Sequence, residues 1–428
     1  MNWISTRGAS PAVPFVDALF AGTAPDGGLY MPERLDRLPP GTVDSLRHAG
    51  MVEIGTRIGA HLLRDEITAD ALRPLIAAAL DFPIPLVRVT DRIFALELFH
   101  GPTMAFKDVG ARVQARLLHH FTDGTPLTIL VATSGDTGSA VAQAFHRVPD
   151  TRVLVLYPEG QVSDVQEAQM ASLGDNVTAL AMRGTFDDCQ RLVKQAFADD
   201  ELRTHVWLTP ANSINLGRLL PQVFYYFVLA RLADGGGPVV SVPSGNFGNL
   251  TAGLMAKRIG LPVRKFVAAT NVNDTVPQYL RTGEYHPKPS VRTVANAMDV
   301  GAPSNWERVQ ALYHGNLEGM RADIVGSAYT DEQVVAEISR VFRHHEYLLD
   351  PHSAIAWLAL QDALATEPEA QGVFVATAHP GKFLEVVEPA IGRSVPLPRP
   401  LQEALGRPRH SVSMNVDYAA LREFILRT

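Results

Sequence analysis

From about Leu127 onward, short runs of apolar, β-branched residues alternate with stretches of helical periodicity. LTILVA (Leu127–Ala132), RVLVLY (Arg152–Tyr157), NVTALAM (Asn176–Met182), PVVSV (Pro238–Val242), KFVAAT (Lys265–Thr270) and GVFVAT (Gly372–Thr377) are continuous apolar runs of the kind that parallel strands buried on both faces require. Between them SAVAQAFHRV, DDCQRLVKQAF and NLTAGLMAKRIG keep apolar residues at helical spacing. This alternation predicts βαβ units and an α/β fold. The turn-rich LADGGGP (Leu232–Pro238) is the best internal boundary, which predicts one sheet domain over residues 91–232 and a second over 233–428. Residues 1–90 read differently. A turn-rich DGGLYMP (Asp26–Pro32) precedes helical patterning through VDSLRHAGMVEIGTRIGAHLL and ADALRPLIAAAL, which predicts a mostly helical N-terminal domain closed by DFPIPLV.

Composition removes several function classes. The chain has 428 residues and a net charge of -7 with acids and bases interspersed, so the basic stripe of a nucleic-acid binder is missing. Its single cysteine, Cys189, supports neither an intramolecular disulfide framework nor a cysteine-rich zinc site. The 14 histidines show no H-E-x-x-H pattern. No secretory leader pattern is present at the N-terminus, and no apolar run approaches the ~18–20 residues of a membrane span. The expectation is a soluble, cytoplasmic protein with a small-molecule substrate, no metal, and neither nucleic acid nor membrane as partner.

Three strand-to-helix junctions draw attention, because open α/β sheets collect ligands at the carboxyl ends of their strands. The first is Thr133, Ser134, Gly135, Asp136, Thr137, whose small residues let backbone N–H groups approach an anion or simply cap the next helix. The second is Ser244 followed by Gly245, Asn246, Phe247, Gly248 and Asn249. It meets neither the dinucleotide nor the Walker A spacing, which leaves a cradle for one phosphate or a tight turn. The third places Thr377 at a strand end within FVATAHPGKF. Against these stands ELFHGPTMAFKD, in which Lys107 follows small and apolar residues. It reads either as an exposed helix-start lysine paired with Asp108, or as a desolvated lysine of lowered pKa suited to imine formation. Lys107 and the loops together suggest a phosphorylated aldehyde cofactor, pyridoxal 5'-phosphate.

ISTRG, DGGLYMP, ELFHGPTMAFKD, ATSGDTGS, NSINLGR, PSGNFGN and ATAHPGKF, in this order over essentially the whole chain, resemble the threonine synthase family in its longer microbial form with an extended N-terminal domain. Two small departures are Gly381, where the family often has alanine, and Asn249, near which it often has aspartate. The resemblance implies the tryptophan-synthase-β-like fold, fold type II of the pyridoxal-phosphate enzymes. It implies Lys107 as the cofactor lysine, Gly245 to Asn249 as the cofactor-phosphate loop, and Thr377 as a neutral partner of the pyridine nitrogen. The substrate α-carboxylate falls to Thr133, Ser134, Gly135, Asp136 and Thr137. Contact there comes through the Asp136 N–H, since one carboxylate repels another. Asn212, Ser213 and Arg218 become candidates for a substrate phosphate. The implied reaction is a carbon–oxygen lyase step on a phosphate, converting O-phospho-L-homoserine and water to L-threonine and phosphate. A phospholyase or dehydratase releasing a 2-oxo acid and ammonia is the alternative on the same fold.

Overall fold

The computed structural model describes residues 1–427. Two sheets carry the molecule. One has six strands in the order Ile324–Ala328, Lys265–Thr270, Val239–Pro243, Gly372–Ala376, Ile93–Glu97 and Leu86–Arg88. All its neighbours are parallel except the last pair. The other has five parallel strands in the order Ser411–Met414, Val177–Met182, Thr151–Pro158, Leu127–Ala132 and Leu208–Pro210. The six predicted strands are all present, each within a residue or so of its expected ends. Val239–Pro243 and Gly372–Ala376 are buried at every position, which is why they read as unbroken apolar runs.

Sheet membership does not follow the chain blocks 91–232 and 233–428. Ile93–Glu97 pairs with Gly372–Ala376, so the strand that leads toward Lys107 belongs to the later sheet. Ser411–Met414 returns to pair with Val177–Met182 in the earlier one. The physical reason is the parallel crossover: each partner is chosen across the sheet, and local pattern carries no record of it.

The N-terminal region is mixed. Trp3–Ser5 and Tyr30–Pro32 form an antiparallel pair. The helix Phe15–Ala21 packs against the strand Leu208–Pro210, and the helices Met51–Leu62 and Ala69–Ala79 pack on each other. Thr68 caps the last of these by accepting from the Ala71 N–H. Trp3 and Phe15 are fully buried with ring centroids 5.6 Å apart. Burial of the Phe15 side chain contributes about 1.5–3 kcal/mol. At the centre lies the helix Leu216–Tyr226, buried along its whole length. It packs against Met51–Leu62, the helix Lys107–Phe121 and the helix Gly248–Arg258. A helix apolar all round can only be an interior one, and Arg218 is its one charged residue.

Candidate active site

Five loops meet at the carboxyl ends of the strands, where this architecture concentrates ligand sites. The loop after Ile93–Glu97 is locked to the one after Gly372–Ala376. Ala105 bridges Ala378, the Phe106 N–H donates to the Thr377 carbonyl at 2.8 Å, and the His379 N–H donates to the Met104 carbonyl at 3.0 Å. Met104 takes a left-handed φ of 57° to make that turn. Lys107 therefore begins its helix directly beside Thr377.

The reading of Lys107 as an exposed partner of Asp108 is not what the structure shows. Asp108 is buried and accepts from the Thr103 N–H at 2.9 Å and the Thr103 hydroxyl at 2.6 Å, shaping the loop ahead of the lysine. Burial pushes its carboxyl up to about 6 despite those bonds. Among the described residues Lys107 makes no hydrogen bond and no ion pair, and its ammonium lies 5.7 Å from the Phe106 ring centroid. Burial brings it down to about 8. The cations Lys382 and Arg218 act in the same direction, and Asp136 opposes them. A lysine near neutrality with a free Nζ is the form that can act as nucleophile and base.

Asp136 is the first residue of the helix Asp136–Phe145. Its carboxylate is buried and takes the Lys382 ammonium at 2.7 Å and the Gln166 amide at 3.0 Å. Burial alone would raise it, but Lys382, Lys107 and Gln166 together hold it well below the usual carboxylate range. Lys382 is itself buried and donates to the Thr103 carbonyl at 2.9 Å. The side chain of Asp136 is thus neutralised and turned to Lys382. The N–H groups of Ser134, Asp136 and Thr137 make no hydrogen bond to the described chain. Thr133 is structural in this loop: its hydroxyl accepts from Gly135 N–H at 2.9 Å and Gly138 N–H at 2.8 Å. Gly135 has φ 146°, and a Cβ there would stand 2.5 Å from the Gln166 side chain.

The second loop fits a phosphate group. Gly245, Asn246, Phe247, Gly248 and Asn249 present five successive N–H groups with no acceptor among the described residues. Phe247 is left-handed at φ 60°, and the helix Gly248–Arg258 starts immediately after it. Successive N–H groups bent around such a residue at a helix N-terminus make an anion nest. Gly245 is required by contact: a Cβ there would meet the Ala297 carbonyl oxygen at 2.5 Å. Asn249 holds the loop's shape, its amide bonded to the Pro243 carbonyl at 2.8 Å and to the Ser244 hydroxyl at 3.2 Å. Thr377 is a buried residue whose hydroxyl has no hydrogen-bond partner among the described residues. A cradle of N–H donors, a neutral hydroxyl and an unpaired lysine form the donor set that pyridoxal phosphate requires.

The loop after Leu208–Pro210 supplies the remaining residues. Arg218 is buried, gives one Nη to the Ala211 carbonyl at 2.5 Å, and has no partner for its Nε. Burial lowers its guanidinium to about 10, with Asp108 opposing. The Asn212 Oδ1 is likewise buried and unpartnered. The Ser213 hydroxyl accepts from the Asn246 amide at 2.5 Å, tying this loop to residues 245–249. All residues singled out from the sequence therefore come together. Missed were Lys382, Gln166 and the buried pair Asn305 and Arg308. Only Lys382, following the glycine of ATAHPGKF, offered a signal. His379, two residues past Thr377, is neutral: burial, then His100, lowers it to about 4, and its Nδ1 accepts from the Gly381 N–H at 3.0 Å.

Fold and site define the class. Residues 81–378 match the family described as pyridoxal-phosphate dependent enzyme, the fold is type II, and the cofactor is pyridoxal 5'-phosphate. Residues 2–80 match the threonine synthase N terminus and residues 353–425 the threonine synthase C-terminal family. Threonine synthase of Escherichia coli (strain K12) is 43% identical over 429 residues, covering 100% of this chain and 99% of that protein. Its crystal structure superposes with a TM-score of 0.93 at 42% identity, over 100% of both chains. The pyridoxal-phosphate-bound threonine synthase of Brucella melitensis gives 0.95 at 36% identity, covering 100% of this chain and 99% of that one. The chain belongs to the threonine synthase family, and its activity is that of a pyridoxal-phosphate-dependent lyase that forms threonine. Among the described residues, no helix is long and apolar enough to cross a membrane, and no cluster of three histidine, cysteine or acidic side chains could hold a metal.

Proposed function

We propose that the substrate is O-phospho-L-homoserine, converted with water to L-threonine and phosphate, and that Lys107 is both the cofactor lysine and the main proton carrier. The observation that carries this reading is the unpaired Lys107 Nζ, set among Asp136, Lys382 and Arg218 and beside Thr377. When bound, pyridoxal phosphate supplies the electron withdrawal that acidifies the substrate's Cα–H and Cβ–H. Gly245 to Asn249 would hold its phosphate through backbone N–H groups, and the Thr377 hydroxyl would serve its ring nitrogen without imposing a charge. The N–H groups of Ser134, Asp136 and Thr137 receive the substrate carboxylate at a helix N-terminus, while Thr133 and Gly135 keep that loop in shape.

At the far end of the substrate, Arg218, Asn212 and Ser213 receive the phosphate. Arg218 is buried and gives the protein one guanidinium hydrogen bond, from an Nη to the Ala211 carbonyl, and guanidinium to phosphate is a strong, charge-assisted contact. Lys107 Nζ takes the Cα proton. A Cβ proton is then removed and phosphate leaves from Cγ. Water adds at Cβ, and Lys107 Nζ returns protons to Cγ and Cα. Borohydride reduction of the holoenzyme followed by peptide mapping tests the assignment. The cofactor should be fixed on the Lys107 peptide, and finding it on Lys382 or any other lysine would refute it.

A further inference from the structure

The motifs ISTRG and DGGLYMP take no part in the chemistry above, yet they reach the site through one side chain. Ser5 pairs with Tyr30 in the strand ladder, Thr6 N–H donates to the Leu29 carbonyl at 2.9 Å, and the Ser5 hydroxyl donates to Asp26 at 2.7 Å. The carbonyl of Tyr30 then accepts from Arg308 Nε at 3.1 Å. Arg308 lies on the helix Trp306–Leu312 and is fully buried. Its remaining donors reach the substrate-phosphate loop. Nη2 gives to the Ile214 carbonyl at 2.7 Å, while Nη1 gives to Asn305 Oδ1 at 2.6 Å and to the Ser213 carbonyl at 3.4 Å. Asn305 adds its own amide to the Ser213 carbonyl at 3.2 Å.

The same helix end also contacts the cofactor loop. The rings of Trp306 and Phe247 meet edge to face at 5.7 Å, and Ser304 N–H donates to Asn246 Oδ1 at 2.6 Å. Asn246 in turn donates to the Ser213 hydroxyl. Among the described residues, no carboxylate pairs with Arg308: its neighbour Glu307 is turned to Thr6 and Arg7. A buried guanidinium balanced only by carbonyl dipoles is unfavourable. It is tolerable where its charge faces a site that takes anions.

We propose that Arg308 is a positioning residue through which the N-terminal strand pair orders the substrate-phosphate loop, residues 212–218, against the cofactor-phosphate loop, residues 245–249. Its planar fork sets three carbonyls at once, a task that a lysine ammonium performs poorly. The inference rests on the reading of residues 212–218 as the substrate-phosphate loop.

The test is the affinity of the holoenzyme for inorganic phosphate, measured by titration calorimetry, together with KM and kcat. Wild type, Arg308→Lys and Glu307→Ala are compared. Glu307→Ala removes the neighbouring link to Arg7 and Thr6 but leaves the carbonyl contacts intact. Arg308→Lys should weaken phosphate binding and raise KM by about tenfold with kcat within about threefold, the pattern of lost ground-state positioning. Glu307→Ala should lower the melting temperature with phosphate affinity and KM within about twofold of wild type. If Arg308→Lys does not fold, Asn305→Ala, which frees the Ser213 carbonyl, carries the same expectation. Unchanged phosphate affinity in these variants, or an equal loss in Glu307→Ala, overturns the proposal. Failure of phosphate to bind the wild-type holoenzyme overturns the reading of the loop and the inference with it.

Discussion

Replacing Lys382 with methionine removes the cation that sits 2.7 Å from the buried Asp136 carboxylate and leaves its volume nearly unchanged. Asp136 is then left with the Gln166 amide at 3.0 Å and the more distant charge of Lys107. Breaking a buried pair by deleting one partner costs about 3–5 kcal/mol, because the survivor is stranded. At about 2.1 cal/mol/K per residue over 428 residues, the unfolding entropy is roughly 0.9 kcal/mol/K. A 4 kcal/mol loss therefore lowers the melting temperature by about 4 °C if the chain unfolds as one unit.

The sign with pH is also fixed. In the wild type the Asp136 pKa is depressed on folding, so its contribution is present above the unfolded carboxylate value and lost only as pH falls through the lower folded value. Without Lys382, burial drives that pKa upward. The penalty of Lys382→Met should therefore shrink as pH is lowered from 8 toward 5. Adding Asp136→Asn should restore about 2 kcal/mol of the loss, since the two sites are in contact and cannot be additive. Calorimetric melting of the four proteins of this cycle, at pH 5 and pH 8 with cofactor bound, is the assay. A Lys382→Met protein as stable as wild type, or a penalty that grows on acidification, refutes the reasoning.

In cofactor-free protein the acylation rate of Lys107 should follow a pH profile with an inflection near about 8. A profile still rising toward the ordinary lysine value of about 10.4 would contradict its burial. Gly245→Ala drives a Cβ against the Ala297 carbonyl, 2.5 Å away. Cofactor affinity, followed by the lysine-bound chromophore during dialysis, should fall at least about tenfold. Cys189 is buried and its thiol is pushed up to about 12, chiefly by burial. A chromogenic disulfide reagent should leave the native enzyme unlabelled and titrate one thiol in denaturant.

The fold was legible where a strand is buried on both faces, because continuous apolar runs such as Lys265–Thr270 leave little choice. It was not legible in Ile324–Ala328 or Ser411–Met414, whose residues are largely accessible and whose pattern is too mixed to stand out. Pairing was hidden altogether: nothing local in Ile93–Glu97 says that its neighbour is Gly372–Ala376. In the site, Lys107 and the small-residue loops could be read because their unusual neighbours are adjacent in sequence. Arg308 could not, and Lys382 offered only its place after the glycine of ATAHPGKF. Each looks like an ordinary basic residue near a helix start, and what makes it unusual is burial beside a partner remote in the chain.

These loops are expected to hold a phosphorylated amino acid over Lys107 and return threonine. Purified holoenzyme and a Lys107→Ala variant, incubated with O-phospho-L-homoserine, should be assayed together for phosphate, threonine and 2-oxobutyrate. Equal amounts of phosphate and threonine from wild type, with none from the variant, is the predicted result. Phosphate accompanied by 2-oxobutyrate in place of threonine, or full turnover without Lys107, would contradict it.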